Sequence, residues 1–385
     1  MNMSVRRSAR PWNVLGAALV VLALGACVPW YDGTPQSFYE LPPGAESRPP
    51  GTLVRVQEMA GQSNATTTVY RVVYWTIDRR DRPVRATGAV RVPKAAPPEA
   101  GTAIGAWDHG TTGLAPQCAP SRGGAGYPSG FLPVNVPIAI PDYIGLGPDG
   151  ELHAWLAGVS EARATVDLVR ATTRLPNVRS NGDWWVAGHS QGGHAALFTG
   201  ELAGSYAPEM DLQGVVAVAP GTELNEPSYI TTYMKPAAVM VGVGLSLDYP
   251  GLDPADYLTE EAEARLGVVE TGCLNEIIAQ YAGLTPLVDV DPFENPEFVA
   301  LLVANEPGHV ASDVPVLVVQ GGQDIIVPAA FTERYLQRAC QHGTTVKYSR
   351  YESADHGSII GQSGAEARQW ITAIAAGQAP PTSCG

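Results

Sequence analysis

The stretch Trp184-Trp185-Val186-Ala187-Gly188-His189-Ser190-Gln191-Gly192-Gly193 decides the fold. Its four leading apolar residues predict a buried strand. Ala195, Ala196, Leu197, Phe198, Glu201 and Leu202 beyond it predict a helix. The turn between them reads Gly-x-Ser-x-Gly, and a strand before it and a helix after it make this a nucleophile elbow. Such a turn strains the backbone at Ser190 and exposes its hydroxyl above the sheet. Gly188 and Gly192 stand where strand and helix come too close for a Cβ. The helix starts just after the serine, so its free N–H groups and dipole favour the negative charge that develops in acyl transfer. The competing reading, an inert serine in a glycine-rich turn, does not account for the flanking strand, the helix and the third glycine together.

A nucleophilic serine needs a base, and the base needs an acid to orient it. Seven histidines are available: 109, 153, 189, 194, 309, 342 and 356. His189 and His194 flank the serine with geometry that points them elsewhere. His153 falls in a polar loop, His342 on the surface, and His309 at the wrong end of a strand. His356 alone follows the final strand at the edge where the elbow opens. The acid should fall between serine and histidine in chain order. Asp324 sits in the turn after a buried parallel strand at that edge, whereas Asp313 precedes the strand and Asp355 points away from its neighbour's ring. The predicted triad is Ser190, Asp324 and His356. For the oxyanion hole the sequence nominates two backbone N–H groups, those of Thr111 and Gln191. The first lies in Asp108-His109-Gly110-Thr111-Thr112-Gly113, where glycine allows close approach. His109 is expected to bond its own loop, and Asp142 to satisfy the amides of the glycine-rich turn that follows it.

Working outward, residues 53–59, 67–78 and 84–92 predict antiparallel strands. Residues 102–107, 134–140, 214–220, 314–320 and 346–351 predict further strands of a mostly parallel sheet. Helices are predicted over 158–175, 329–340 and 365–376. In the first of these, Val159, Ala162, Val166, Val169 and Ala171 are the inward residues. Residues 223–308 lack any long β-branched run and are too many for a loop, so they predict a mainly helical cap inserted over the strand ends. The core is then 51–222 and 309–385. The fold class is α/β, a mostly parallel sheet flanked by helices.

The first 26 residues read as an export signal. Arg6, Arg7 and Arg10 precede an apolar run over 14–24, too short for a comfortable membrane span. Leu24-Gly25-Ala26-Cys27 is similar to a lipobox, which predicts lipidation at Cys27, attachment to a membrane through that lipid, and a Pro- and Gly-rich tether over 27–50. Removing residues 1–26 takes away three arginines and no acids, moving the formal charge from −14 to −17. So acidic a chain excludes nucleic acid as an expected partner. Export places Cys118, Cys273, Cys340 and Cys384 in an oxidising compartment. Their even number and the lack of metal-ligand spacing predict disulfides rather than a zinc site, with three pairings open. No metal or cofactor is required by the chemistry, and a monomer is expected.

These motifs together resemble the secretory lipase family of the α/β-hydrolase superfamily. They are the Gly188-His189-Ser190-Gln191-Gly192-Gly193 elbow, the Trp107–Gly113 loop, the Asp142-Tyr143-Ile144-Gly145-Leu146-Gly147 turn, the Ser160-Glu161-Ala162 helix start and the Gly321-Gly322-Gln323-Asp324 turn. The resemblance implies hydrolysis of carboxylic esters, often of lipids, with a helical cap over the acyl pocket. It also implies the pairs Cys118–Cys273 and Cys340–Cys384. The rival readings are a proline-type peptidase that would use Glu223 to hold a peptide amine, an acyltransferase of the same fold, and a non-catalytic binding lipoprotein.

Overall fold

A computed structural model describes residues 28–44, 46–124, 126–227 and 235–385. Cys27 and the signal segment lie outside the described residues. Among the described residues nine strands form one sheet in the order β1-β2-β3-β5-β4-β6-β7-β8-β9. They are β1 (Leu53–Glu58), β2 (Thr67–Ile77), β3 (Pro83–Pro93), β4 (Thr102–Asp108), β5 (Ile138–Tyr143), β6 (Ser180–His189), β7 (Asp211–Val218), β8 (Val316–Gly321) and β9 (Val346–Tyr351). The β1/β2, β2/β3 and β3/β5 pairs are antiparallel, and every pair from β5 to β9 is parallel.

The alternation of side chains divides the core in two. Ile104, Trp184, Val186, Val215, Ala217, Val316 and Val318 pack on one face with the helices Gly158–Thr172, Gln191–Tyr206 and Ala329–Gln341. Trp107, Trp185, Ala187, Val216, Val218, Leu317 and Val319 pack on the other with the helix Ser358–Ala375. With both faces covered, each central strand reads as a continuous apolar run, as Trp184–Ala187 does.

Four expectations need correction. The strand expected over 134–140 is β5, Ile138–Tyr143. Asn135 turns the chain with φ 59° and leaves Val134 70 % exposed, while antiparallel pairing of Gly88 with Pro141 and Thr87 with Tyr143 carries the strand further than the apolar run. Nor are residues 28–44 a free tether. Phe38 and Tyr39 are buried against Val73, Trp30 bridges to Val56, and the Tyr39 hydroxyl hydrogen-bonds Ser121 at 2.8 Å. Burying two aromatic rings outweighs the Pro and Gly content of the segment. The helix Gly158–Thr172 is buried on nearly all sides rather than on one stripe: Asp248 and Asn305 of the cap bind Ser160 Oγ at 2.6 Å and the Gly158 N–H at 3.1 Å at its start, and Thr165 and Asp167 bond Asp108 and Thr76 of the sheet further along. The last helix starts at Ser358, seven residues before the expected start. The small residues of its first turns, including Gly364, let it lie against Gly130.

Between β7 and β8 the described residues are mainly helical, with the segments Lys235–Asp248, Leu274–Tyr281 and Pro296–Ala304 the longest. They share a separate apolar cluster with Leu114, Trp155 and Leu156 of the core loops. Both ends of this insertion are clasped. Glu306 accepts the Glu223 and Leu224 N–H groups at 2.7 Å each, and Arg338 binds Glu223 and Glu306 at 2.8 and 2.7 Å. Two disulfides, Cys118–Cys273 and Cys340–Cys384, join the loop after β4 to the cap and the helix after β8 to the chain's end.

Candidate active site

At the end of β6 the chain turns into the elbow helix within one residue. Ser190 takes φ 58° and ψ −119°, a conformation costly for a residue with a Cβ. It is held by three backbone bonds. Its N–H donates to Val218 at 2.9 Å, and its carbonyl accepts from His194 at 3.0 Å and Gly221 at 3.1 Å. A Cβ on Gly192 would lie 1.9 Å from the Asp108 carbonyl oxygen, and one on Gly188 would lie 2.1 Å from the Gly192 oxygen. The elbow therefore closes only with glycine at both places.

Asp324 follows β8, and His356 follows β9. Their side chains meet: His356 Nδ1 donates to Asp324 Oδ2 at 2.7 Å. Asp324 is saturated. Its Oδ1 accepts the Ile326 and Val327 N–H groups at 2.9 and 2.8 Å, and its Oδ2 also accepts from Gln320 at 3.1 Å. A carboxylate with this many donors is held in one orientation and fixes the ring proton on Nδ1, leaving Nε2 as the acceptor. His356 and Ser190 line the same cavity of about 790 Å³, together with His109, Gly110, Thr111, Trp155, His189 and Gln191. The cavity runs into the cap between Met240, Ile278, Phe293, Phe298 and Leu302.

The remaining candidates fall out differently. His109 Nδ1 bonds the Gly110 carbonyl of its own loop at 2.6 Å, and burial lowers its pKa to about 4, so it is neutral. Asp142 accepts from Thr87 at 2.6 Å and from the Ser121 N–H at 2.9 Å, which gives it a loop-holding role. Burial pushes its pKa up to about 6. His309 and His342 are exposed. Glu223 is engaged by Arg334 and Arg338 and is absent from the cavity wall, so it has no free carboxylate for a peptide amine. Among the described residues, no group of three or more His, Cys, Asp or Glu side chains is placed to hold a metal ion.

Three residues near the serine carry more than their sequence positions suggest. His189 Nε2 donates to the His356 carbonyl at 2.8 Å; burial, and then the neighbouring His356, lower its pKa to about 4. His153 is buried, not in a polar loop, because Ile144 and Gln191 both bond its ring. Glu161, in the first turn of the helix Gly158–Thr172, faces His194, Gln191 and the Leu156 N–H. The Ser160-Glu161-Ala162 helix start, with the glutamate next to an inward-facing alanine, was the available sign.

The profile of the secretory lipase family matches residues 129–382. The chain belongs to the secretory lipase family. As a secretory lipase it is a carboxylic ester hydrolase, and the sheet with its flanking helices is the α/β-hydrolase fold. It is 25% identical to the trichothecene C-3 esterase of Fusarium sporotrichioides, over 89% of this chain and 83% of that relative. It is 24% identical to a secreted triacylglycerol lipase of Malassezia furfur, over 84% of this chain and 72% of that one. In fold it is similar to Candida antarctica lipase A in its closed state, with a TM-score of 0.75 at 21% identity, covering 90% of this chain and 87% of the other.

Proposed function

We propose that this secretory lipase is an exported serine hydrolase of lipid esters that works through Ser190, His356 and Asp324. The observation that carries the reading is the 2.7 Å bond from His356 Nδ1 to Asp324, on the wall of the cavity that also contains Ser190. His356 Nε2 takes the Ser190 proton as the oxygen attacks the ester carbonyl. Asp324 stabilises the imidazolium. The Thr111 and Gln191 N–H groups receive the oxyanion, each worth about 3 kcal/mol of barrier. Among the described residues neither of these groups has another backbone partner. His356 then returns the proton to the departing alcohol, leaving an acyl-enzyme. A water molecule, deprotonated by the same ring, attacks that ester and releases the acid.

The apolar walls supplied by Met240, Phe293 and Phe298 suit an acyl chain rather than a polar one. The boundaries 51–222 and 309–385 for the core and 223–308 for the cap belong to the same proposal. So do export directed by residues 1–26, lipidation of Cys27 in a bacterial envelope, and a monomeric state. The test is hydrolysis of p-nitrophenyl esters from acetate to palmitate by the protein and its Ser190→Ala variant. Activity that vanishes in the variant supports the serine mechanism. A parent protein inert on every ester, or a variant as active as the parent, overturns it.

A further inference from the structure

The two N–H groups proposed to bind the oxyanion sit on different elements. Thr111 lies in the loop after β4, and Gln191 opens the elbow helix. Their relative placement sets how well both can point at one oxygen, and misplacement by a fraction of an ångström weakens such a site. The side chains of the same two residues are linked by a single indole. Trp155 Nε1–H is shared between Gln191 Oε1 at 2.9 Å and Thr111 Oγ1 at 3.1 Å. Trp155 is 6 % exposed and forms part of the cavity wall beside both residues.

The Gln191 amide has no freedom to turn over. Its oxygen accepts the indole N–H, and its Nε2 donates to Glu161 Oε1 at 2.7 Å and to His153 Nε2 at 2.6 Å. His153 can accept there because its Nδ1–H is spent on the Ile144 carbonyl at 2.9 Å. Glu161 is itself pinned by the Leu156 N–H at 3.1 Å and by His194 Nδ1 at 3.1 Å. His194 Nε2 faces the Asn305 carbonyl at 2.8 Å. Both ring nitrogens of His194 thus meet acceptors, so the ring is an imidazolium paired with a buried carboxylate. Every hydrogen of the Gln191 amide is used, and flipping it would set donor against donor at the indole.

We infer that Trp155 is a positioning residue that couples the two oxyanion donors, with Glu161 and Gln191 fixing the indole's height above the elbow. The inference rests on the oxyanion assignment given under Proposed function. Its physical content is that one shared hydrogen bond holds the β4 loop at the spacing the transition state needs. Substrate ground states, which carry no full charge on the oxygen, depend on that spacing far less.

The test is steady-state hydrolysis of p-nitrophenyl butyrate by the full protein and by Trp155→Phe, Thr111→Val and the double variant. Trp155→Phe keeps a ring in place and removes the N–H; Thr111→Val keeps the backbone donor and removes the acceptor. Each single variant is expected to lose about tenfold in kcat, the worth of one hydrogen bond to the site, with KM changed less than about twofold. Because the bond that Thr111→Val deletes is one of the two that Trp155→Phe deletes, the double variant is expected to lose no more than Trp155→Phe alone. Multiplying losses, unchanged kcat, or a loss seen mainly in KM overturns the proposal. If Trp155→Phe does not fold, the near-isosteric Thr111→Val decides on the same criteria. A parent protein that neither hydrolyses esters nor takes a fluorophosphonate at Ser190 fails at the level of the proposed function. An active parent with an indifferent Trp155→Phe fails only here.

Discussion

Asp324 with His356 and Glu161 with His194 are two carboxylate–histidine pairs built around one serine. His356 comes from the end of β9; His194 lies one helical turn beyond Ser190 and donates its own N–H to the serine's carbonyl. Both carboxylates are buried. The imidazoles differ. His194 is fully buried with both nitrogens committed, whereas His356 is 19 % exposed at its side chain, lines the cavity, and commits only Nδ1 among the described residues. A carboxylate partner alone therefore does not make a histidine a base. In the proposed mechanism a free nitrogen facing the cavity does, and the same pair with no free nitrogen becomes a brace.

If that distinction holds, one substitution in each pair should fail in a different way. Asp324→Asn leaves an amide oxygen to accept the Ile326 and Val327 N–H groups but offers the wrong partner to the ring proton. The expected result is a fall of about 10⁴ in kcat with the melting temperature within a few degrees of the parent. Ester hydrolysis alongside a thermal melt measures both. Glu161→Ala strips the counter-charge from a buried imidazolium and should lose about 3–5 kcal/mol of unfolding free energy by urea titration. A stable but inactive Glu161→Ala, or an unfolded Asp324→Asn, would exchange the two roles and undo the comparison.

The contrast also explains what could be read from the chain beforehand. Ser190 and Asp324 each follow a strand with a strong apolar run, His356 follows the weaker Val346–Tyr351, and topology brings the three strand ends to one edge. The loop proposed to bind the oxyanion likewise follows a buried strand, β4. Glu161, His153 and Trp155 come from a helix start and an irregular loop, where no periodicity tells a buried polar side chain from an exposed one. Their importance lies in partners 30 to 44 residues away, a relation set by packing. The docking of Phe38 and Tyr39 was missed because a composition rich in Pro and Gly outvoted two aromatic residues whose docking site, Val73, lies on a strand elsewhere.

The brace should also leave a mark on the pH dependence of stability. Burial opposes the charge on Glu161, but the hydrogen bonds it accepts, with the His194 ring foremost in charge, win and lower its pKa from 4.5 to about 2. A folded-state pKa below the unfolded one contributes stability that is present above about pH 4.5 and is lost as the pH falls toward 2. His194 runs the other way. Burial opposes its charge too, yet the Glu161 carboxylate raises its pKa above 6.5. Its contribution is full below pH 6.5 and is lost as the pH climbs through the raised value. The pair is thus most stabilising between about pH 4.5 and 6.5. Urea titrations across pH 3 to 9 should show both limbs in the parent and a flatter profile in Glu161→Gln. Equal slopes in the two proteins would mean that the pair is not ionised as described.

The smallest effect tests whether a histidine can brace the base without any carboxylate. His189 is kept neutral by burial and donates Nε2–H to the His356 carbonyl, with the two rings 4.6 Å apart between centroids. It touches the base's backbone and not its reactive nitrogen, so it acts on where His356 stands rather than on its proton. His189→Phe keeps a ring against His356 and deletes the bond. Losing a hydrogen bond of about 1 kcal/mol should lower kcat by roughly fivefold. The pH at which the rate is half-maximal should stay put, because the Asp324 bond that governs the ring is untouched. A shift in that midpoint would show that His189 tunes the base electrostatically. It would then belong with Asp324 rather than with the brace.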